Sequence, residues 1–477
     1  MSCHISREEV MSMQDIKKAL QKTFIYRLIY LKIIKYYRIV KRKIRNFLSR
    51  TKKKIKKFIK GKWNVIYRHY ILKILYPRIY KKYSKLPVDE KKVVFVEIRL
   101  PALTNSLQLL YDKLYMETEL DLHCHFLRNT FVSRKEYRER CKAFIADIAT
   151  AKYVFMDEAT NVNGCFEMRP ETTVTQLWHG CGAFKKFGFS TADAIFGASR
   201  KDMENYPFNK NYTHVTVSSP DVIWAYEEAM RYTHESGVVK ALGSSRTDIF
   251  YDEEFIKSAY DELYEKFPAA KGKKVILYAP TFRGRVAKAK SPNVLKLRDL
   301  YEAFGDEYVV IMKHHPLVRK CPKIPQELID TFAVDFTTGM SIETLLCVSD
   351  ICISDYSSLV FEYSIFERPM IFLAHDLDEF FDWRGFYYDY DELTPGPVVK
   401  TTEEVIDYIS NIDTLYDKKA VQDFRSKFMS ACDGHATERI IETVFGESYK
   451  NNLRSAPLPK APYHLEPSAD DFFKNKN

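Results

Sequence analysis

From residue 88 onward, short and nearly continuous apolar runs alternate with stretches of helical spacing. "KKVVFVEI" (residues 91–98) is β-branched and apolar at its centre, which predicts a strand buried on both faces of a parallel sheet. "NSLQLLYDKLY" follows with helical spacing, and Asn105 stands where a helix cap is expected. "LDLHCHFL", "AKYVFMD" and "TVTQLWHG" predict further strands separated by helical stretches, so residues 88–235 read as one doubly wound domain. A second series begins near Val238. "VVKALGSSRTD", "KKVILYAPTF", "YVVIMKHHP", "DICISDYSS" and "RPMIFLA" predict strands, with helices around 252–267, 343–348 and 358–366. Residues 236–445 therefore read as a second domain of the same kind. The expected architecture is α/β, with two Rossmann-like domains facing each other across a cleft. The proline-bearing, polar segment 446–477 reads as a flexible tail, either loose or strapped over the surface.

Before residue 88 the pattern differs. Ile33, Tyr37, Val40, Ile44, Phe47, Thr51, Ile55 and Phe58 recur in steps of three and four, which is helical periodicity. Lys35, Arg38, Arg42, Arg45, Lys52, Lys53, Lys56 and Lys60 lie largely on the other side. Trp63, Tyr67 and Tyr70 continue the pattern toward "LPVDE", where the charge switches. Residues 1–86 hold 26 lysines and arginines against Glu8, Glu9 and Asp15, while the remaining residues hold 48 against 60 acids. The overall balance of +11 thus belongs to an arm over residues 1–87, which makes it a partner signal. An amphipathic helix with aromatic and aliphatic residues opposite a basic face suits the headgroup layer of an anionic membrane. Two other readings stay open: the stripe docks on the body, or the arm binds nucleic acid phosphates. No zinc finger or RNP-type motif supports the last, so no nucleic acid partner is expected.

Composition adds exclusions. A chain of 477 residues, 46% hydrophobic and with 32 Tyr and 32 Phe, is long enough for two or three folded domains. The nine cysteines are scattered without a C-x-x-C pair, as expected of reduced thiols. His123-Cys124-His125 invites a metal reading, but the alternation in "LHCHFL" is more simply a strand. No cleavable leader and no uncharged apolar run of about 20 residues is present, so neither secretion by that route nor a transmembrane span is expected.

Ligands of open parallel sheets sit beyond the carboxyl ends of the strands, so the residues just after each strand are the candidates. After "VTQLW" come His179 and Gly180; after "VILYA", Pro280, Thr281, Phe282 and Arg283. Lys313, His314, His315 and Pro316 follow "VVIM", and "DICIS" leads to Asp355, Tyr356, Ser357 and Ser358. Ser357 and Ser358 fall where a strand turns into a helix, a place suited to phosphate and equally to simple capping. Arg283 and Lys313 at neighbouring strand ends add cations and tilt the reading toward phosphate. His315, held extended by Pro316, offers an imidazole at the same rim. "GSSRTD" supplies Arg246 and Asp248, with an ordinary turn and surface ion pair as the plainer reading. No Walker-type loop is present, which disfavours ATP hydrolysis. Asp376-x-Asp378 and Asp389-x-Asp391 read as loop acids in preference to a metal site.

Taken in order, "WHG" with "KKFG", "GSSRTD", "LYAPTFRG", "KHHP" and "SDICISDYSSLVFEYSIFERPMIFLAHDLDEF" with "RGFYYD" resemble the CDP-glycerol glycerophosphotransferase family of teichoic acid synthesis. The resemblance covers about residues 88–440. It implies a glycosyltransferase-B-like pair of domains. It also implies transfer of a polyol phosphate, glycerol phosphate first and ribitol phosphate as the alternative, from CDP-glycerol or CDP-ribitol to a lipid-linked acceptor. CMP would be released, and the enzyme would sit peripherally on the cytoplasmic face of the cell membrane. No metal or other cofactor is expected.

By position, the resemblance makes His179 the general base and sets His315, Arg283, Ser357 and Ser358 on the donor diphosphate, with Lys313 among the donor-side cations. Arg246 and Asp248 match the family's Arg-x-Asp turn, and Glu362, one helical turn after Ser358, is placed near donor hydroxyls. Lys185 and Lys186 are acceptor-side candidates that read as contacts for the phosphates of donor or acceptor, with a solvated pair as the plainer reading. Where many members have His-Gly-Thr-Pro-Leu-Lys, this chain has His179-Gly180-Cys181-Gly182-Ala183-Phe184-Lys185, which points to a changed acceptor side. A nucleotide-sugar glycosyltransferase and a non-catalytic membrane scaffold are the competing functions.

Overall fold

The computed structural model describes residues 12–129, 131–194, 197–284, 289–316, 318 and 320–459, with the side chains of 50, 53–55 and 381–384 outside that description. The chain divides into two units, residues 1–71 and 72–477. The first is dominated by one helix, Met13–Tyr70, whose Ser12 side chain caps the Asp15 amide. Ile33, Tyr37, Ile44, Phe47, Phe58 and Trp63 on it are exposed. The expected stripe is therefore helical and begins some 20 residues earlier than Ile33; Lys53 and Ile55 lie outside the described side chains. Among the described residues no helix is long and apolar enough to cross a membrane. Residues 72–87, expected as part of the arm, belong to the second unit, where Tyr76 and Tyr80 are buried.

The second unit holds two six-stranded sheets. The first comprises β1 (Asp89–Glu97), β2 (Asp121–Phe126), β3 (Ala151–Met156), β4 (Thr173–Gln176), β5 (His214–Thr216) and β6 (Val239–Lys240), in the order β2-β1-β3-β4-β5-β6. The second comprises β7 (Lys274–Tyr278), β8 (Tyr308–Met312), β9 (Ala333–Asp335), β10 (Ile351–Ser354), β11 (Met370–Leu373) and β12 (Val398–Val399), in the order β12-β11-β10-β7-β8-β9. Every pairing is parallel. The inner strands β3, β8, β10 and β11 read as nearly unbroken apolar runs, buried along most of their length. In each sheet the strand order reverses once, between β1 and β3 and between β7 and β10. Those two reversals open the crevices where ligands of such sheets bind.

Two features depart from the expected boundaries, and the tail takes one of its two expected forms. Val239–Lys240 pairs with β5, so the strand read as the start of the second domain closes the first sheet. Helix Ala436–Phe445 returns to the first sheet, where Ile440, Ile441, Val444 and Phe445 share a core with Val93, Phe95 and Phe155. Asp248 holds that helix end: its carboxylate accepts from the Ala436 amide at 3.1 Å and the Thr437 amide at 2.7 Å. Finally, the tail is strapped down through its described part. The Arg454 and Leu458 amides each donate at 2.8 Å to the carbonyls of Glu117 and Met116. Residues 460–477 of the tail lie outside the described residues.

Smaller expectations resolve similarly. The helix after β1 starts at Asn105, with Thr104 in the cap position. His123 and His125 both contact Asp147, at 2.7 and 2.9 Å, so their cluster is a strand face hydrogen-bonded to one carboxylate. The described cysteines are all free thiols.

Candidate active site

A cleft of about 720 Å³ opens beyond the carboxyl ends of both sheets. His179 and Lys185 line it from the first sheet. From the second come the loop Ala279–Phe282 after β7, Lys313–Pro316 after β8, Thr337–Ile342 after β9 and Ser357–Leu359 after β10. The reversal between β7 and β10 lies at its floor.

His179 is delivered by a strained step. Trp178, just beyond β4, has φ of +59°, a left-handed conformation costing a bulky residue on the order of 1 kcal/mol or more. Its amide donates to the Gln176 side chain at 3.0 Å, and its ring stacks on His179 at 4.6 Å. The imidazole Nδ1 lies 2.9 Å from the Asp157 carbonyl, an acceptor only, so Nδ1 carries the hydrogen and Nε2 is the basic nitrogen. Beneath the loop, Arg246 donates to the His179 carbonyl at 2.6 Å and to Glu343 at 2.7 Å. Its Nε lies 3.1 Å from the Glu362 carboxylate. Arg246 and Glu362 are thus consumed by one buried ion cluster that ties the His179 loop to the helical segments after β9 and β10. Burial raises the Glu362 carboxyl above its usual range, and Arg246 opposes that rise.

The donor-side expectations divide. Ser357 and Ser358 both line the cleft. The helix they precede, Leu359–Tyr363, is only five residues long and Ser358 makes no side-chain cap, so the hydroxyls are not spent on capping. His315 lines the cleft and packs edge-on against Phe282 at 4.9 Å. Lys313 also lines it, with its ammonium donating to the Met340 carbonyl at 2.6 Å. Arg283 does not line it. Its guanidinium pairs with Asp376 at 2.5 and 2.8 Å and with Asp355 at 3.0 Å, and stacks on Tyr356 at 5.0 Å. Two carboxylates therefore neutralise it, and it clamps the β7 and β10 loops together. Asp376 is thereby a structural acid, and Asp248 is a helix cap.

The segment that departs from the expected motif has a physical account. Gly182 has φ of +61°, its amide donates to Ser218 Oγ at 2.9 Å, and a Cβ there would sit 2.4 Å from the Phe361 ring. Proline can provide neither the conformation nor the donor. Phe184, 2% exposed, packs against Phe386 and Tyr390 at 5.5 and 6.1 Å. The Lys186 amide donates to the Gly385 carbonyl at 3.1 Å, and the Tyr387 amide to the Phe184 carbonyl at 3.2 Å. The change thus serves a lock between the two sheets' loops. Of the lysine pair, Lys185 reaches the cleft and Lys186 is not among its lining residues.

Sequence reasoning missed Thr337, Thr338 and Ser341, because β9 is three residues long and leaves no periodic trace. The hydroxyl-rich "TTGMS" turn was the available signal. It also missed Glu97 and Asp157, fully buried at the ends of β1 and β3.

Two parallel-stranded α/β halves, with imidazoles, hydroxyls and lysines converging on one crevice, define a glycosyltransferase-B-like fold. The chain belongs to the CDP-Glycerol:Poly(glycerophosphate) glycerophosphotransferase family, whose profile matches residues 78–446. It is 35% identical over 76% of its length to a teichoic acid poly(ribitol-phosphate) polymerase of Bacillus spizizenii, spanning 58% of that protein. It is 32% identical over 78% of its length to a teichoic acid ribitol-phosphate primase of the same organism, spanning 96% of it. The structure of a variant of the wall teichoic acid polymerase TagF matches its fold with a TM-score of 0.65 at 21% identity, covering 83% of this chain and 98% of that one.

Burial lowers the His179 imidazole to about 4, with Arg99 and Arg246 adding to the effect against the Asp157 hydrogen bond. Burial, with Lys185 and Arg99, likewise lowers His315 to about 4. Both rings are therefore neutral at pH 7. Protons bind the unfolded histidines first, so this contribution to stability is complete above about pH 6.5 and is lost as the pH falls toward the folded values. An NMR titration is expected to leave both rings neutral down to about pH 5, and midpoints near the ordinary value of about 6.5 would contradict the burial argument.

Proposed function

We propose that this protein transfers a polyol phosphate from a CDP-activated donor to a hydroxyl of a lipid-linked acceptor, releasing CMP, in teichoic acid or related cell-surface polymer synthesis. The observation that carries the reading is the meeting in one cleft of His179 from the first sheet with His315, Lys313, Ser357 and Ser358 from the second. With Nδ1 committed to the Asp157 carbonyl, Nε2 of His179 is free to take the acceptor proton as that oxygen attacks the β-phosphorus. The phosphorus–oxygen bond to CMP breaks in the same displacement. Ser357, Ser358 and His315 donate to the diphosphate, and Lys185 and Lys313 offset the charge gathering on the leaving group. In this reading these side chains carry the charge stabilisation and no metal ion is assigned a role.

Similarity to ribitol-phosphate enzymes across three quarters of the chain favours CDP-ribitol as a second donor reading beside CDP-glycerol. A transferase from Staphylococcus aureus named for glycerol phosphate is 30% identical over 58% of the chain. Purified protein with a lipid-linked acceptor and each CDP-polyol, beside UDP- and GDP-sugars, separates the donors by CMP release and product mass. Turnover of at least one CDP-polyol is expected, with His179→Ala lowering kcat by about 10²-fold or more. No CMP from either, or undiminished product from His179→Ala, would contradict the reading.

The same reading places the protein peripherally on the cytoplasmic face of an anionic membrane through its N-terminal helix. Exposed aromatic and aliphatic residues and a run of lysines and arginines support it. Each basic residue near such a surface contributes about 1 kcal/mol. Deleting residues 1–60 should release the protein from anionic vesicles at moderate salt, and retained binding would count against the arm.

A further inference from the structure

At the reversal of the first sheet, two carboxyl groups stand side by side. Val96 of β1 is in register with Met156 of β3, so Glu97 and Asp157, one residue further along each parallel strand, occupy adjacent positions on the same face. Glu97 is 1% exposed and Asp157 0%. Each has one oxygen in use. Glu97 Oε1 accepts from the Arg99 amide at 2.8 Å and the Leu100 amide at 3.0 Å, and Asp157 Oδ2 accepts from the Thr104 hydroxyl. Each also has one oxygen, Glu97 Oε2 and Asp157 Oδ1, that is fully buried with no partner. An unsatisfied buried carboxylate oxygen carries an uncompensated desolvation cost, and two adjacent buried charges add repulsion. One proton removes both penalties, because it turns two orphan acceptors into a donor and an acceptor.

We propose that Glu97 and Asp157 share one proton as a positioning unit for His179, with Glu97 Oε2–H donating to Asp157 Oδ1 and one negative charge remaining behind the imidazole. This rests on the reading of His179 as the base. Asp157 joins the two roles within one residue. Its carbonyl holds Nδ1 of His179, and its carboxylate is fixed by Thr104 at the start of helix Asn105–Glu117. When Nε2 takes the acceptor proton, the imidazolium forms in a crevice that already holds Arg246 and Arg99, both of which disfavour it. The pair's single charge offsets that cost without a second proton transfer. The groups facing the pair are Glu158 and Arg99, themselves ion-paired at 2.6 Å, with Thr104, Arg246 and His179. Burial, followed by the charge of Asp157, raises the Glu97 carboxyl well above its usual range, in keeping with Glu97 as the protonated partner.

Infrared spectroscopy of the full chain at pH 7, without substrate, tests the shared proton directly. A protonated-carboxyl carbonyl band is expected in the wild-type minus Glu97→Gln difference spectrum, since the Gln amide reproduces the donor but not the acid. Its absence from that difference would overturn the proposal. The positioning role is read from kinetics. Glu97→Ala should lower kcat by about tenfold or more with donor KM little changed, and Glu97→Gln should recover most of that loss. Glu97→Gln/Asp157→Asn, which removes the charge, should lose more than either single variant and move the acid limb of the pH–rate profile to lower pH. Equal losses in Glu97→Ala and Glu97→Gln, or an unshifted limb in the double variant, would refute it. A band present in a protein that turns over no CDP-polyol would instead remove the proposed function and leave the carboxyl pair standing.

Discussion

The Arg246 cluster is the interaction on which the site depends. One guanidinium, 14% exposed, spans the His179 carbonyl, Glu343 and Glu362. It thereby fixes the end of a strand in the first sheet to two segments of the second. Removing one partner from such a buried cluster typically costs about 3–5 kcal/mol, because the remaining charges are left without water or counter-ion. The directional hydrogen bonds of the cluster fix the His179 loop in place, and a histidine displaced by even 1 Å no longer meets a reacting oxygen in line.

A second tie reinforces the first. Phe184 inserts among Phe386, Phe361 and Tyr390, while amides at 186 and 387 bond across the same seam. Between these two anchors, the loops after β4, β7, β8, β9 and β10 are held around one crevice. Chemistry that needs an acceptor from one half and a donor diphosphate from the other is served by that arrangement. The electrostatics agree with the division of labour: neutral imidazoles for proton transfer and donation, lysines and hydroxyls for phosphate charge.

The strands that carry the cleft residues were mostly legible because burial on both faces demands apolar runs, and β1, β3, β7, β8 and β10 are such runs. His179, His315, Ser357 and Ser358 followed from the rule that ligands lie beyond strand ends. The pairing of charges was not legible. Arg283 and Arg246 stand at strand ends like phosphate ligands, but Asp376, Asp355, Glu343 and Glu362, up to 116 positions away, neutralise them. Asp248 caps a helix 188 residues downstream. Very short strands, such as β9, gave no periodic signal, so the hydroxyl-rich turn behind it went unseen. Glu97 lies inside the run 91–98 and far from Asp157 in sequence; only the register of β1 with β3 makes the two neighbours.

In the proposed reaction a donor diphosphate lies against the second sheet's reversal, facing His179. A crystal structure of the His179→Ala protein soaked with a CDP-polyol measures this directly. The account predicts the diphosphate within hydrogen-bond distance of Ser357, Ser358 and His315, with its transferred phosphorus turned toward position 179. A donor bound at any other place on the molecule, or with its diphosphate turned away from those residues, would contradict it.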